Sequence, residues 1–526
     1  MSAMLLADLV AAHGAVRATR SRKAKVVALA DVLARARAEG DDVVAIAVHY
    51  LGGSLRQRRT GLGWRGLQQL PQPADAPSLT AVEVDAAFAE LAGVSGAGSK
   101  AARERLVTDL FGRATPDEQD YLRGLVTGEL RQGALDALVL DAVAAAAEVP
   151  AEAVRRAAMF AGATAPVAVA ALTDGAPGLA DFRLEVGRPV RPMLASSAAD
   201  LDAALAGFLD GGDAPEVAVD CKLDGIRVQV HKDGDLVRVW TRSLEEITDR
   251  VPEVVELVAG LPADRLVLDG EAIALDENGR ARPFQDTGAR TASRVDVQTL
   301  RAAVPLTSYF FDLLLVDGED LVDVPARERL ARLAEIVPAD AVVPRVLTRD
   351  PEDARRVFAD VVAAGHEGVV VKSLDAPYAA GRRGASWVKV KPRHTLDLVV
   401  LAVEWGSGRR HSWLSNIHLG ARNPDAGDDA EPFVMLGKTF KGMTDEMLAW
   451  QTERFLELET SRSAHVVHVR PEQVVEIAFD GLQRSTRYPG GLALRFARVL
   501  RYRDDKTAEE ADTIDTVRTL GQVYDA

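Results

Sequence analysis

Residues 221–227 read Cys-Lys-Leu-Asp-Gly-Ile-Arg, and the interpretation of the whole chain starts from this stretch. An alternating pattern runs from Ile226 to His231, which predicts a strand soon after the lysine Lys222. A lysine amine can act as a covalent nucleophile when nearby cations or loss of water favour its neutral form. Taken alone, the tetrapeptide Lys-Leu-Asp-Gly is better explained by a surface hairpin with a solvated lysine. The segments that follow this tetrapeptide are needed to choose between a covalent nucleophile and a solvated surface lysine.

Length and composition limit the classes of protein to which this chain can belong. At 526 residues the chain is long enough for about three domains. Its single cysteine, Cys221, excludes a disulfide within the chain and a four-cysteine zinc finger, and it suits a reducing cytoplasm. No apolar run reaches the ~18 residues of a membrane span, and the apolar N-terminus lacks the basic start of a signal peptide. We expect a cytoplasmic monomer without a membrane partner.

Basic residues are unevenly distributed in this acidic chain, whose net charge of −15 does not favour a polyanionic partner. Residues 1–65 hold 11 basic and 5 acidic residues, and residues 377–410 and 484–506 each hold 7 basic and 2 acidic residues. Three basic stretches predict three contact surfaces for phosphate groups. For any one stretch, an ordinary solvated surface is an equally good explanation.

Hydrophobic patterns divide the chain into three regions. Apolar residues at helical spacing predict an all-α domain over residues 1–185. The Gly- and Pro-rich passage Thr173–Pro192 predicts a linker. Short strands with helices between them predict an α+β domain over residues 188–393. Residues 394–526 are rich in strands and predict a small closed β-barrel of the oligonucleotide-binding (OB) type.

Some elements are predicted with definite bounds. Gln119–Leu130 and Ala326–Ile336 are predicted helices, and the turn Lys232–Asp235 predicts a hairpin. Leu266–Leu268 and Ala272–Leu275 are predicted as two strands joined by a turn.

Five segments after Lys222 each offer a chemical group. They supply in turn a cation, a carboxylate at the predicted turn, an aromatic ring, a carboxylate with a lysine, and two lysines on one strand face. The segments are Thr241-Arg242-Ser243, Asp269-Gly270-Glu271, Phe310-Phe311-Asp312, Glu367-Gly368-Val369-Val370-Val371-Lys372 and Trp387-Val388-Lys389-Val390-Lys391. Taken singly, Phe311 suits a core strand, Asp269 fixes a turn, and His231 faces solvent on its hairpin.

In this order the segments resemble the motifs of the covalent nucleotidyltransferase superfamily, and most closely those of the ATP-dependent DNA ligases. Lys222-Leu-Asp224-Gly225 resembles the adenylation motif of that family. Three further matches lie outside the five segments: Arg191-Pro192-Met193-Leu194-Ala195, Gly128-Glu129-Leu130-Arg131-Gln132-Gly133, and Arg495-Phe496-Ala497-Arg498 followed by Asp504-Asp505-Lys506. The resemblance therefore extends over nearly the whole chain.

The resemblance implies a role for each matching residue. Lys222 is the nucleophile that becomes adenylated, and Asp220 selects adenine, although the family usually has Glu there. Glu271 binds the ribose and a metal ion, Glu367 is the main metal-binding carboxylate, and Phe311 stacks on adenine. Arg227 and Arg242 bind the ribose and phosphate side of the nucleotide, or the 5′-phosphate of the nick. The remaining implied contacts are with the triphosphate for Arg383, Lys389 and Lys391, with pyrophosphate for Arg498 and Lys506, and with the DNA minor groove for Arg131 and Gly133.

The implied reaction is the sealing of 3′-hydroxyl/5′-phosphate nicks in duplex DNA, with ATP and Mg²⁺, or alternatively Mn²⁺, as cofactors. Replication, repair and recombination all need such a step. Two alternatives remain within the superfamily, an RNA ligase and an mRNA guanylyltransferase. A third is a nucleic-acid-binding protein without activity, although the nucleophile, the carboxylates and the cations are all present.

Overall fold

The computed structural model describes residues 3–57, 59–130, 135–209, 215–293, 296–379, 383–407, 410–426 and 431–525. The first region is helical, as predicted. Its helices are α1 (Leu6–Ala18), α2 (Arg22–Arg37), α3 (Asp41–Leu51), α4 (Ala81–Gly93), α5 (Ser99–Gly112), α6 (Pro116–Thr127), α7 (Leu135–Ala147), α8 (Ala151–Ala161), α9 (Ala165–Asp174) and α10 (Ala176–Ala180). Arg131 and Gly133 lie outside the described residues, and the side chain of Arg383 does too.

Local signals in the sequence set the ends of helix α6. The Thr115 hydroxyl accepts from the backbone N–H of Glu118, and the Glu118 carboxylate accepts from the backbone N–H of Thr115. Gly128 follows the helix with φ 69°, a left-handed conformation that glycine adopts without strain. Helix α6 therefore starts three residues before Gln119 and ends three residues before Leu130, the two bounds that the sequence predicted.

The central region is an α+β fold built on two five-stranded sheets, in the orders β1-β10-β9-β2-β8 and β4-β3-β5-β6-β7. Its elements are β1 (Leu194–Ser197), α11 (Leu201–Leu209), β2 (Val217–Lys222), β3 (Ile226–Asp233), β4 (Leu236–Thr241), α12 (Pro252–Ala259), β5 (Arg265–Ala274), α13 (Phe284–Ala292), α14 (Val297–Ala303), β6 (Leu306–Val316), β7 (Glu319–Asp320), α15 (Ala326–Ile336), β8 (Arg345–Thr348), α16 (Pro351–Ala363), β9 (Gly368–Ser373) and β10 (Arg383–Val390).

Strand β5 is continuous, so the predicted turn at Asp269-Gly270-Glu271 is wrong. The strand pairs with β3 on one side and with β6 on the other, and both ladders continue through Gly270. A side chain at Gly270 would place its Cβ 2.7 Å from Cδ1 of Phe310. The glycine there permits close packing within a sheet and does not mark a turn.

The passage Thr173–Pro192 is not a free linker. Helix α9 continues to Asp174, and Val190 is fully buried, with its backbone N–H donating to Oε1 of Gln229 at 2.7 Å. Val190 belongs to an apolar cluster that joins Phe160 of α8 to Trp387 of β10. The helical and central regions therefore share a hydrophobic core, which we call the shared core.

The third region is rich in strands, as predicted. Its elements are β11 (His394–Trp405), β12 (Leu414–Arg422), β13 (Phe433–Thr439), α17 (Asp445–Glu457), β14 (Glu459–Arg462), β15 (Val466–Val469), β16 (Val474–Phe479), β17 (Gly481–Arg484), β18 (Leu492–Arg495), β19 (Arg498–Tyr502) and α18 (Ile514–Asp525). Seven strands form one sheet in which β13-β12-β11-β15-β14 are consecutive, and β16 joins β11 to β19.

The predicted closure of this sheet into a barrel is not confirmed, because no ladder joins β13 to β19 among the described residues. Isolated hydrogen bonds connect this side of the sheet instead. The Thr439 hydroxyl donates to the Ala497 carbonyl at 2.5 Å, and the Val499 N–H donates to the Lys441 carbonyl at 3.0 Å. None of the described helices is both long and apolar enough to cross a membrane.

Candidate active site

Lys222 is the last residue of strand β2 and lines a cleft of about 970 Å³ that receives residues from both central sheets. The loop after it, Leu223–Gly225, runs close to strand β5. A Cβ atom at Gly225 would lie 2.4 Å from the carbonyl oxygen of Ala272, so glycine is required for this approach. The glycine of the Lys-Leu-Asp-Gly motif thus allows the loop after Lys222 to lie against the neighbouring sheet.

The carboxylate of Glu367 lies between two lysines. One oxygen forms an ion pair with Lys222 and the other with Lys391, while the Glu367 backbone N–H donates to the Lys222 carbonyl at 3.1 Å. Burial alone would raise the pKa of Glu367, but the two ammonium groups outweigh it and hold that pKa below its usual range. The structure brings Lys222 and Glu367, two of the predicted site residues, into contact although they lie 145 positions apart in the sequence.

Glu271 is a second carboxylate of the cleft, placed opposite Arg227 in the pairing of β5 with β3. Burial raises the pKa of Glu271 to about 7, despite the opposing effects of Lys222 and Arg227. Glu271 therefore keeps its proton to a higher pH than an ordinary glutamate does.

Aromatic rings form one wall of the cleft. Phe311 and Trp387 both line it and meet edge to face, with ring centroids 5.9 Å apart. The Lys372 ammonium lies 4.6 Å from the Phe311 centroid and 4.2 Å from that of Trp387. Phe311 is half-buried at the cleft surface, so it is not simply a core residue.

Arg227 is fixed from several sides. Its guanidinium makes two hydrogen bonds to Asp269, at 3.0 and 2.6 Å, and donates to the Met193 carbonyl at 2.6 Å. Asp269 also accepts from the Tyr378 hydroxyl at 2.7 Å. Asp269 therefore anchors Arg227 and Tyr378 and does not fix the turn that the sequence predicted.

Known proteins resemble this chain along its whole length. Family models match it in three places: "DNA ligase N terminus" at residues 66–144, "ATP dependent DNA ligase domain" at residues 192–391, and "ATP dependent DNA ligase C terminal region" at residues 410–506. A "Probable DNA ligase" of Nocardioides sp. is 66% identical over 520 residues, which cover 98% of this chain and 99% of the relative. The chain belongs to the ATP-dependent DNA ligases.

A second relative, a "Probable DNA ligase" of Beutenbergia cavernae, is 67% identical to this ligase over 523 residues, with the same coverage of both chains. The solved structure named "Pmar-Lig_Pre" matches 94% of this chain and 99% of its own length, with a TM-score of 0.61 and 17% identity. That likeness concerns the fold alone. The family makes the chain an enzyme that acts on DNA and uses ATP with a divalent metal ion.

Asp220, predicted to select adenine, is buried beneath the cleft of the ligase. Its oxygens are bound by Arg345, at 2.5 and 2.7 Å, and by Lys372, at 2.6 Å. Burial would raise the pKa of Asp220, but Lys372 and Arg345 outweigh that effect and lower it. In a direct contact, adenine would be a further partner of a carboxylate that is already paired with Arg345 and Lys372. The role of Asp220 in selecting adenine stays a prediction.

Two other predicted phosphate ligands, Arg242 and Lys389, line the cleft. Lys391 borders it through its ion pair with Glu367. Arg242 follows strand β4 directly, as the sequence indicated for a cation near the nucleophile.

Arg498 and Lys506 lie away from the cleft in this arrangement. Arg498 is exposed on strand β19, and the Lys506 ammonium forms an ion pair with Asp397 at 2.6 Å. Arg495 reaches the site instead, pairing with Asp224 at 2.8 Å, and Asp480 lies 3.3 Å from Lys391. Sequence reasoning missed both contacts, although Arg495 opens the Arg-Phe-Ala-Arg segment that it had singled out.

Proposed function

We propose that this ligase seals 3′-hydroxyl/5′-phosphate nicks in duplex DNA through an AMP group carried on Lys222. The observation that carries the proposal is the position of Lys222, at the end of a strand and inside a cleft that also contains Glu271 and Phe311, with Glu367 in contact. This combination provides a nucleophile, oxygen ligands for a cation and a flat ring for a purine base.

Three transfers make up the proposed reaction. The neutral Lys222 amine attacks the α-phosphorus of ATP, forming a P–N bond as the bond to pyrophosphate breaks. An oxygen of the DNA 5′-phosphate then attacks the same phosphorus, and the lysine leaves. In the last transfer the 3′-hydroxyl attacks the activated 5′-phosphate, loses its proton and expels AMP. The protein contributes mainly positioning and neutralisation of charge.

The cleft fits a hard divalent cation that is shared with the substrate. Glu367 and Glu271 offer carboxylate oxygens, which suit Mg²⁺, our proposed ion, and Mn²⁺ as the alternative. Within the described part of the chain, no group of three acidic, histidine or cysteine side chains could hold a metal alone, so phosphate oxygens would complete the ligand set. When bound, the cation neutralises charge that develops on the phosphates.

Glu367 links cation binding to the activation of Lys222. In the ion pair the Lys222 Nζ is bound to the Glu367 carboxylate and not to a substrate. A cation on Glu367 would compete for this carboxylate and so leave the Lys222 amine able to approach ATP, while Lys391, the other ion-pair partner of Glu367, stays nearby.

The base and the phosphates have separate places in the cleft. Phe311 supplies a ring on which adenine could stack, and Asp220 lies beneath it as the proposed determinant of adenine selection. Arg227, Arg242, Arg383, Lys389 and Lys391 are proposed to bind the ribose and phosphates.

The DNA contacts are proposed to come from all three regions, with domains over residues 1–185, 188–393 and 394–526. Arg131 and Gly133 would follow the minor groove, and the C-terminal sheet would bind the backbone in the manner of an OB fold. Arg498 and Lys506 would reach pyrophosphate only after this domain moves. We propose a monomer that acts on cytoplasmic DNA, with affinity that falls steeply with salt because phosphate contacts dominate.

Lys222→Ala tests the proposal. With α-labelled ATP and Mg²⁺, the wild type should acquire label that survives denaturation and is lost on addition of nicked duplex. The variant should acquire none, yet bind nicked DNA nearly as the wild type does. Lys100→Ala, which changes an exposed lysine of α5, is the control and should be labelled normally.

The alternatives give different results in the same assay. Labelling by GTP in preference to ATP would indicate a guanylyltransferase, and discharge by nicked RNA alone would indicate an RNA ligase. A wild type without any covalent label would leave only a nucleic-acid-binding protein. Label on Lys222→Ala would refute the assigned nucleophile.

A further inference from the structure

The helical region contributes a side chain to the cleft that contains Lys222. Arg59 lies between helices α3 and α4, yet it lines the same cavity as Lys222 and Phe311. The cavity is therefore built by two domains. No motif in the sequence indicated Arg59, because its approach to the cleft depends on how α8 packs on the central region through the shared core.

Described residues on either side of Arg59 make hydrogen bonds. Arg56 donates to Asp85 of α4 with an Nε–Oδ2 distance of 3.0 Å, and Nε2 of Gln57 donates to the Asp85 carbonyl at 3.2 Å. On the other side, Thr60 is 7% exposed and its hydroxyl accepts from the Leu62 N–H at 3.3 Å. Two positions before Arg59 the chain is therefore tied to α4, the residue after Arg59 is buried, and the side chain of Arg59 itself is exposed at the cleft.

Arg59 differs from most other arginines of the cleft in that no acidic partner is found for it among the described residues. Arg227 is paired with Asp269, and Arg250 with Glu245 at 2.7 Å. For Arg59 and Arg242, one from each domain, no ion pair is found among the residues that the structure describes. An anion that enters the cleft can therefore bind either guanidinium without displacing an acidic partner among the described residues.

We propose that Arg59 binds a phosphate group of the substrates, so that the helical domain is part of the active site as well as a grip on DNA. The guanidinium fork matches phosphate oxygens and can make two hydrogen bonds to them. The phosphate comes either from the tail of ATP or from the DNA strand at the nick. This inference rests on the proposed function and adds a residue to it.

Three single-turnover measurements on Arg59→Ala distinguish the two sources. The first follows lysyl-AMP formation with ATP and Mg²⁺ in the absence of DNA. The second follows transfer of AMP from the preformed adduct to nicked duplex, and the third follows closure of a nick that already carries AMP. Loss of a charge-assisted contact should slow at least one step about tenfold or more. A slower first step identifies ATP, whereas slower second or third steps alone identify DNA.

Controls separate this role from a structural one. Arg59→Lys keeps the charge but not the fork, and it should fall between Ala and wild type in the affected step. Arg105→Ala removes an exposed arginine of α5 outside the cleft and should match wild type in all three steps. If Arg59→Ala stays within about twofold of Arg105→Ala throughout, the inference is wrong. A wild type that forms no adduct would refute the proposed function itself.

Discussion

The surroundings of Glu271 change the pKa of its carboxyl group, an effect that its position in the motif does not indicate. Burial raises its pKa to about 7, against 4.5 for an ordinary glutamate. The folded protein therefore keeps this proton between pH 4.5 and 7 while the unfolded chain releases it. As pH rises through that window the folded state loses stability, by about 3 kcal/mol at most.

Glu271→Gln should remove this pH dependence. The variant should be more stable than wild type at pH 8, and the difference should nearly vanish at pH 4.5, where both side chains are neutral in the folded state. Denaturant unfolding of both proteins at the two pH values measures it, with Glu90→Gln, at an exposed site on α4, as the control. The same variant should form lysyl-AMP slowly, because an amide is a poor ligand for the cation. A stability difference that is equal at both pH values would contradict the buried carboxyl.

Single residues show where sequence reasoning succeeds. Lys222, Glu367, Glu271 and Phe311 could be predicted because each belongs to a short motif whose chemistry is carried by one side chain. Arg495 and Asp480 could not, because their contacts with Asp224 and Lys391 depend on how two domains meet. The solvent-facing position predicted for His231 is wrong: it is 1% exposed, and its ring nitrogen accepts from the Gly187 N–H at 2.9 Å. The neighbour that buries it lies 44 residues earlier.

At the scale of elements, the loop between β2 and β3 depends on Gly225. Gly225→Ala would bring a methyl group into the carbonyl of Ala272, so the loop must move away from β5. We expect a loss of about 1–3 kcal/mol in the free energy of unfolding and much slower lysyl-AMP formation. Thermal unfolding and the labelling assay measure the two effects.

Gly207→Ala is the matched control for this change. Gly207 lies in helix α11, and no atom lies within 4 Å of the position that an alanine methyl group would take. Alanine should therefore stabilise that helix by about 0.5–1 kcal/mol. Labelling should be unaffected. Normal labelling by Gly225→Ala would show that the loop tolerates displacement.

Local patterns predict elements well where the chain's own neighbours decide the outcome. The hairpin turn at Lys232–Asp235 and helix Ala326–Ile336 depend on local turn and helix signals, and both are confirmed. The sequence divides strand β5 in two because a glycine in a strand looks like a turn until the partners on both sides are known. The Thr173–Pro192 passage reads as a linker for a similar reason, since its packing partners lie in another domain.

At the scale of the whole molecule, polar pairs between described residues connect the C-terminal domain to the central one. Arg495 with Asp224 and Lys391 with Asp480 are partly exposed, and Nε2 of Gln285 donates to the Arg484 carbonyl at 3.2 Å. Pairs of this kind contribute about 0.2–1 kcal/mol each. Contacts of this kind are weak, as the proposed movement of the C-terminal domain would require.

Arg495→Asp should loosen that contact more than simple loss of the pair, because it places two carboxylates opposite each other. Small-angle scattering of the free protein should show a larger radius of gyration than that of wild type. Arg501→Asp changes an exposed arginine that pairs with Glu476 inside the same sheet, and it should leave the radius unchanged. Equal radii for both variants would mean that other contacts keep the domain closed.

The shared core has a practical consequence for anyone who shortens this protein. Cutting the chain near residue 185 would remove Met159 and Phe160 from their cluster with Met193, Leu314 and Trp387. An apolar patch would then be exposed behind the aromatic wall of the cleft. Such a fragment would tend to aggregate, and Phe311 and Trp387 would lose the side chains packed behind them. A minimal catalytic fragment should therefore keep α8, or carry polar side chains in place of the apolar ones that its removal exposes.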